Sequence, residues 1–266
     1  QGTWVQKADF GGQGRQEAVG FSIGPVGFVG TGEVDSWDYR KDFWQYDPAT
    51  DSWLFKSSFG GTGRGEAVGF SIGDKGYIGT GIDLDFTTCK DFWEYDLTNN
   101  TWTQKADLGG AEREMAVGFC IGNKGYIGTG ADGSYNSLKD FWEYDPVTNM
   151  WTRKADFGGD SRKQATGFSI GNRGYLGMGE GRSDLWEYNP DTDVWIRKGD
   201  FIGTPGSTPV SFTIKNKGYY SPANFTKEFW QYDPVADTWL QMLDFKGSRR
   251  HYMPGFSIGN KGYAGT

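Results

Sequence analysis

"KDFWEYD" occupies Lys90–Asp96 and returns unchanged at Lys139–Asp145. Lys41–Asp47 reads KDFWQYD, and looser copies follow as SDLWEYN (Ser183–Asn189) and KEFWQYD (Lys227–Asp233). Aromatic residues sit on both alternating faces of this heptad, with Phe92 on one side and Trp93 and Tyr95 alternating across the pleat. A sheet with one wet face has no use for that pattern, whereas sheets stacked around an axis bury both faces. The heptad therefore predicts packing between neighbouring sheets rather than an aromatic ligand cage.

The period supports this. Trp4, Trp53, Trp102, Trp151, Trp195 and Trp239 are spaced by 49, 49, 49, 44 and 44 residues, the length of a four-stranded propeller blade. In the second unit the strand-like pieces are AVGFSIG (Ala67–Gly73), KGYIGTG (Lys75–Gly81), DFWEYD (Asp91–Asp96) and TWTQKAD (Thr101–Asp107). They are called here pieces a, b, c and d. A Gly-Asp or Gly-Asn hairpin signal joins a to b. Turns such as DPATDS and DPVTNM join c to d, where proline presets φ. No stretch keeps a 3.6-residue apolar period, so helix is nearly absent.

Composition agrees. Aromatics make up 17% of the 266 residues and glycine contributes 43, which suits short strands joined by tight turns. The net charge of −7 argues against nucleic acid or an anionic membrane as the main partner, since both need a basic face. No apolar run approaches the roughly 18 residues of a membrane span, so no membrane insertion is expected. The chain begins at Gln1, as a trimmed secreted protein does, and an extracellular or cell-surface location is expected. Two cysteines, Cys89 and Cys120, exclude a disulfide scaffold, and no bond between them is expected. Asn99 and Asn224 begin glycosylation triplets that matter only in a glycosylating host.

The order GYIGTG, then DFWEYDPxTNxW, then an arginine before the next piece a resembles the kelch repeat. The resemblance covers the whole chain and is closest to secreted bacterial kelch proteins that share the central domain of galactose-oxidase-like proteins. It departs from the usual glycine pair, with Gly-Thr-Gly at Gly79–Gly81 in its place. It implies an all-β, six-bladed propeller of four-stranded antiparallel blades in a single domain, 1–266. The blades are expected near 16–58, 65–107, 114–156, 163–200 and 207–244, with 251–266 joined by 1–9. Pieces a and d each occur six times, but c occurs five times. The N-terminal Trp4–Asp9 is expected to act as a d strand that closes the ring against the C-terminal hairpin. The missing c strand suggests a native continuation resembling KDFWEYDP; a three-stranded last blade is the alternative.

Function is expected on the face carrying the b–c loops and the d–a links. The b–c loops differ in every unit: EVDSWDYR (33–40), IDLDFTTCK (82–90), ADGSYNSLK (131–139), EGRS (180–183) and SPANFTK (221–227). They supply Trp37, Tyr39, Asp85, Phe86 and Tyr135 as candidate ligand contacts. The d–a links place Arg15, Arg64, Arg113 and Arg162 at equivalent points, with Arg250 aligned and Gly206 breaking the series. A guanidinium rim could grip a carboxylate or phosphate in bidentate fashion; the alternative is that each arginine ties down its own link. Irregularities at Tyr219, Tyr220, His251 and Tyr252, beside the gap expected at Gly206, suggest a notch for a sugar ring or peptide side chain.

Chemistry-bearing patterns are scarce. The single histidine, His251, cannot build the copper site of kelch oxidases, and zinc lacks ligands. Asp83, Asp85 and Asp132 could touch calcium, but solvated loop acids are the simpler reading, so no metal or cofactor is expected. The leading expectation is a non-catalytic binding or adhesion module that offers its loops and arginine rim to a protein or glycan. Alternatives are a sugar-active enzyme of epimerase or mutarotase type, using Glu17, Glu66 and Asp85, and a structural subunit of an extracellular, self-associating assembly.

Overall fold

In the computed structural model every residue is described except Gln1, Ser36, Thr208, Asn224 and Phe225, so the triplet at Asn224 lies outside the described residues. The first blade comprises β1 (Val19–Ile23), β2 (Val26–Gly30), β3 (Phe43–Asp47) and β4 (Ser52–Phe55). A short strand β5 (Arg64–Gly65) leads into β6 (Val68–Ile72) and β7 (Lys75–Gly79). After β8 (Ile82–Asp83), which pairs with β5, the second blade ends with β9 (Phe92–Asp96) and β10 (Thr101–Gln104). The third blade is β11 (Val117–Ile121), β12 (Lys124–Gly128), β13 (Phe141–Asp145) and β14 (Met150–Lys154). The fourth is β15 (Thr166–Ile170), β16 (Arg173–Gly177), β17 (Leu185–Asn189) and β18 (Val194–Arg197). The fifth is β19 (Val210–Ile214), β20 (Lys217–Ser221), β21 (Trp230–Asp233) and β22 (Thr238–Gln241). A two-stranded hairpin, β23 (Gly255–Ile258) with β24 (Lys261–Ala264), completes the order.

All pairings are antiparallel, and each heptad forms the third strand of its blade. Its aromatics pack as the alternation requires. Phe43 of blade one meets Tyr95 at 4.9 Å and Trp102 at 5.0 Å in blade two. Phe92 meets Tyr144 and Trp151 at the same distances, and Phe141 repeats the contact with Tyr188 and Trp195. Burying each ring is worth roughly 2–3 kcal/mol and each edge-to-face pair about 1 kcal/mol more. The heptad recurs because every blade needs the same two-sided glue.

Six four-stranded blades do not form: among the described residues the propeller has five, and β23 and β24 make a two-stranded sheet. The N-terminal stretch containing Trp4 forms no strand, because no third strand stands between it and β24 to carry the ladder. Trp4 instead packs edge-on against Phe229 and Phe245 beside blade five. The ring therefore does not close by an N-terminal strand joining the last blade. It closes through β23, which packs between β1 and β19. Phe256 lies against Gly27, where a Cβ would stand 2.1 Å from the ring, just as Phe21 lies against Gly76 in the next sector.

Candidate functional site

The b–c loops and d–a links are stitched together on one face. Gln16 bridges to Glu33, Arg64 and Gly65 pair with Asp83 and Ile82, and Glu114 bridges to Ala131. Beneath this surface four of the expected rim arginines are buried. Arg15, Arg64, Arg113 and Arg162 each fork onto one carboxylate, Asp42, Asp91, Asp140 and Asp184 respectively, at 2.5–2.9 Å. Nη1 of each also donates to the carbonyl of Thr31, Thr80, Thr129 or Met178 at 3.0 Å. These carbonyl-bearing residues are themselves left-handed, with φ between 55° and 61°. Gly81 follows Thr80 at φ 94°, where a Cβ would strike the Gly65 carbonyl. Burial opposes the charge on the aspartates, but the guanidinium and the neighbouring tryptophan indole overcome it and hold all four below the usual carboxylate range. These arginines each tie the link that enters a blade to the end of that blade's second strand and the start of its third, and leave no free fork for an incoming anion.

Two residues after each arginine the chain turns left-handed at a non-glycine residue: Glu17, Glu66, Met115, Gln164 and Tyr252, with φ between 49° and 59°. Such conformations cost about 1 kcal/mol each and persist where packing enforces them. The backbone here forms part of a belt around the axis. Glu17 N donates to Tyr252 O at 2.9 Å, Met115 N to Glu66 O and Gln164 N to Met115 O, both at 3.2 Å. The side chains converge: Gln164 Nε2 donates to the Tyr252 hydroxyl at 2.9 Å, linking the fourth sector to the sixth. Neither Glu17 nor Glu66 has a side-chain hydrogen-bond partner among the described residues.

This mouth is acidic and poorly solvated. Burial, then Glu33 and Glu114, pushes the Glu17 carboxyl up to about 7. Burial, then Glu17, Glu114 and Glu33, takes Glu66 to about 9 against the opposing pull of Lys163. Glu114 is raised by its burial too. The hydroxyls of Tyr39 and Tyr252 are raised by burial and then by these same carboxylates, Tyr252 to about 12.

Above the acids stands an aromatic fringe. Trp37, Phe86 and Tyr135 occupy corresponding loop tips of blades one to three, all with positive φ, and are 59%, 59% and 55% exposed. Trp37 and Phe86 touch edge-on at 5.6 Å, and Lys163 places Nζ 3.0 Å from the Tyr135 ring centre. Asp83 and Asp132 shape these loops by accepting the amides of Asp85 and Thr87, and of Ser134 and Asn136. Asp85 itself is exposed at its loop tip.

Other expected contacts fall elsewhere. Tyr220 is fully buried between Phe201 and Trp239 in the core of blade five and offers nothing to a ligand. No gap exists at Gly206, because Pro222 fills that space and a Cβ would stand 2.1 Å from its carbonyl. Arg250 donates to the Thr266 carbonyl, and exposed His251 stacks edge-on to Tyr252. Cys89 and Cys120 are unpaired thiols, both pushed up to about 11 by burial. Outside the mouth, an open cleft of about 580 Å³ runs past Ser137, Arg153, Asp156 and Arg182, with charges of both signs. Glu33, Lys163 and Gln164 were not anticipated at the mouth. The available signal was variation, since the position two after the arginine reads Glu, Glu, Met, Gln, Tyr in an otherwise uniform repeat.

No protein-family profile matches the chain, and no curated protein matches it in sequence. Among solved structures it is similar to the β-propeller protein YjhT, with a TM-score of 0.79 at 14% identity, over 98% of this chain and 92% of that one. At that identity the likeness is one of fold, and the fold it shares with this chain is the β-propeller.

Proposed function

We propose that this propeller is a non-catalytic interaction module that takes a protein ligand at the axial mouth, by way of a lysine- or arginine-bearing segment. The reading is carried by the juxtaposition of three exposed aromatic faces with the carboxylates of Glu17, Glu33, Glu66 and Glu114. Aromatic faces attract cations, and a cation entering beside the buried Glu66 carboxyl, which is pushed up to about 9, would draw off its proton and pair with the carboxylate formed. Lys163 over Tyr135 already makes such a contact within the chain. The kelch-like repeat order fits a rigid scaffold whose loops vary and whose blades do not. A glycan would lean on the fringe through its apolar face and leave the carboxylates to hydroxyl contacts.

The test is titration of a hexalysine peptide and a neutral chitotriose into the protein by isothermal titration calorimetry. The peptide is expected to bind, more weakly at 0.5 M salt than at 0.05 M, and to lose binding in Trp37→Ala/Phe86→Ala. Binding of chitotriose alone would transfer the reading to glycans, and binding of neither would end it.

A second reading rests on the Glu17 carboxyl near 7, beside Tyr39 and Tyr252. A carboxylate poised there suits proton transfer on a sugar, as in an epimerase or mutarotase. Turnover of reducing sugars that Glu17→Gln abolishes is its signature.

A further inference from the structure

We propose that the cleft between blades three and four is a binding site for a zwitterion, a short peptide whose free ammonium and free carboxylate both take part. The cleft lies apart from the axial mouth, and the inference is independent of the reading given there.

The cleft is open because one loop is short. In the preceding sector the loop 131–139 lies so low that a Cβ on Gly133 would stand 3.0 Å from Thr88 Oγ1 and 3.8 Å from Glu112 Oε1. One repeat later those two positions are Ser137 and Ser161, and the corresponding loop, 180–183, has four residues where its predecessor has nine. Ser137 Oγ donates to Glu180 Oε1 across the gap at 3.4 Å. What remains is a hollow of two lobes, about 580 and 530 Å³, each of the size that holds a small ligand. Lys139, Asp160 and Arg182 line both lobes.

The walls depart from the repeat in charge. Arg153 and Arg197 stand two positions after their strand tryptophans, where the other units carry Gln6, Phe55, Gln104 and Gln241. Asp160 replaces the Gln13, Thr62 and Ala111 of the earlier links. The scaffold folds without these three charges in every other sector, so they serve the cleft rather than the blades.

Most charges lining the cleft are already matched. Asp140 and Asp184 are forked by Arg113 and Arg162. Arg153, Arg182 and Arg197 pair with Asp156, Glu180 and Asp200 at 2.8–3.0 Å. Lys139 and Asp160 are the remainder. Both are exposed, neither has a side-chain partner among the described residues, and they form no ion pair with each other. A bare anion held by Lys139 would meet the Asp160 carboxylate, and a bare cation held by Asp160 would meet the ammonium. A zwitterion gives each its opposite, with its ammonium on Asp160 and its carboxylate between Lys139 and Arg182. Arg182 spends only Nη1 on Glu180, in a partly exposed pair of the weak kind, so its other N–H groups are available to the incoming carboxylate.

Calorimetric titration of the whole 266-residue chain at pH 7 with trialanine, N-acetyl-trialanine and trialanine amide tests this. Trialanine should bind one-to-one, and each capped peptide roughly tenfold more weakly, the worth of one charge-assisted hydrogen bond. Asp160→Asn should erase the penalty of the acetyl cap and keep that of the amide, and Arg182→Gln should do the reverse, a cycle that reads each contact separately. The capped peptides leave the protein untouched, so misfolding cannot mimic the result. Equal binding of either capped form, penalties indifferent to both substitutions, or no binding of trialanine overturns the proposal.

Discussion

Arg64 and Glu66 are separated by one residue, yet the fold treats their charges in opposite ways. Arg64 is forked onto Asp91 and capped by the Thr80 carbonyl, whereas the Glu66 side chain has no hydrogen-bond partner among the described residues and faces other acids. The same contrast separates Arg15 from Glu17. One ring of charges is internally satisfied and does mechanical work between strands. The ring beside it is left unsatisfied, at a cost the blades must offset. Unrelieved carboxylate burial has no structural benefit of its own, which is why the proposed ligand site is placed at these acids.

The sharpest way to break that comparison is to remove a satisfied charge. Arg113→Ala leaves Asp140 with the Trp142 indole but no cation and the Thr129 carbonyl without its guanidinium donor, which should lower stability by about 3 kcal/mol in urea unfolding. An effect under about 1 kcal/mol would mean that these pairs are not what holds the links.

Removing an unsatisfied charge should do the reverse. Glu17 and Glu66 have folded-state values near 7 and 9, above the ordinary 4.5, so the folded chain holds extra protons between those limits. Stability is then full below about pH 4.5 and falls as pH rises through 7 and 9. Glu66→Gln should flatten that fall and leave the variant on the order of 2 kcal/mol more stable than wild type at pH 9.5. Parallel melting curves from pH 5 to 9.5 would refute the assignment.

The satisfied ring was half legible in the sequence. The arginines were visible as a period, but their partners lie 22 or 27 residues further on, inside the heptads, as Asp42, Asp91, Asp140 and Asp184. The fifth unit carried the clue: where Gly206 replaces the arginine, the heptad's aspartate becomes Glu228, which keeps the tryptophan bond, here from Trp230. Strand identity and two-sided burial were legible because the heptad states both. The blade number was not. Trp4 and its neighbours match the fourth-strand pattern Thr101–Asp107 at all but one position, and only pairing decides whether a matching segment becomes a strand. The acidic mouth was hidden because convergence on an axis brings together Glu17, Glu66, Gln164 and Tyr252 from four sectors.

Arg250 offers an intermediate case. It keeps the carbonyl bond of its four counterparts but has no carboxylate partner among the described residues, and it is only partly buried. Arg250→Ala should cost less than about 1 kcal/mol, well below Arg113→Ala, since no buried charge is orphaned. Equal losses in the two variants would show that the carbonyl bond, rather than the ion pair, carries the stability.

The smallest structural effect should accompany the largest functional one. Trp37 and Phe86 are mostly exposed, touch each other at their loop tips and belong to none of the hydrophobic clusters between blades. Trp37→Ala/Phe86→Ala should therefore leave stability within about 0.5 kcal/mol of wild type, the range of surface changes that disturb no packing. Exposed aromatics that hold nothing together are costly to keep in water unless something covers them, so the same variant should lose hexalysine binding. A double variant that unfolds readily would make the fringe part of the scaffold, and the division between satisfied and unsatisfied surfaces would have to be redrawn at the loops.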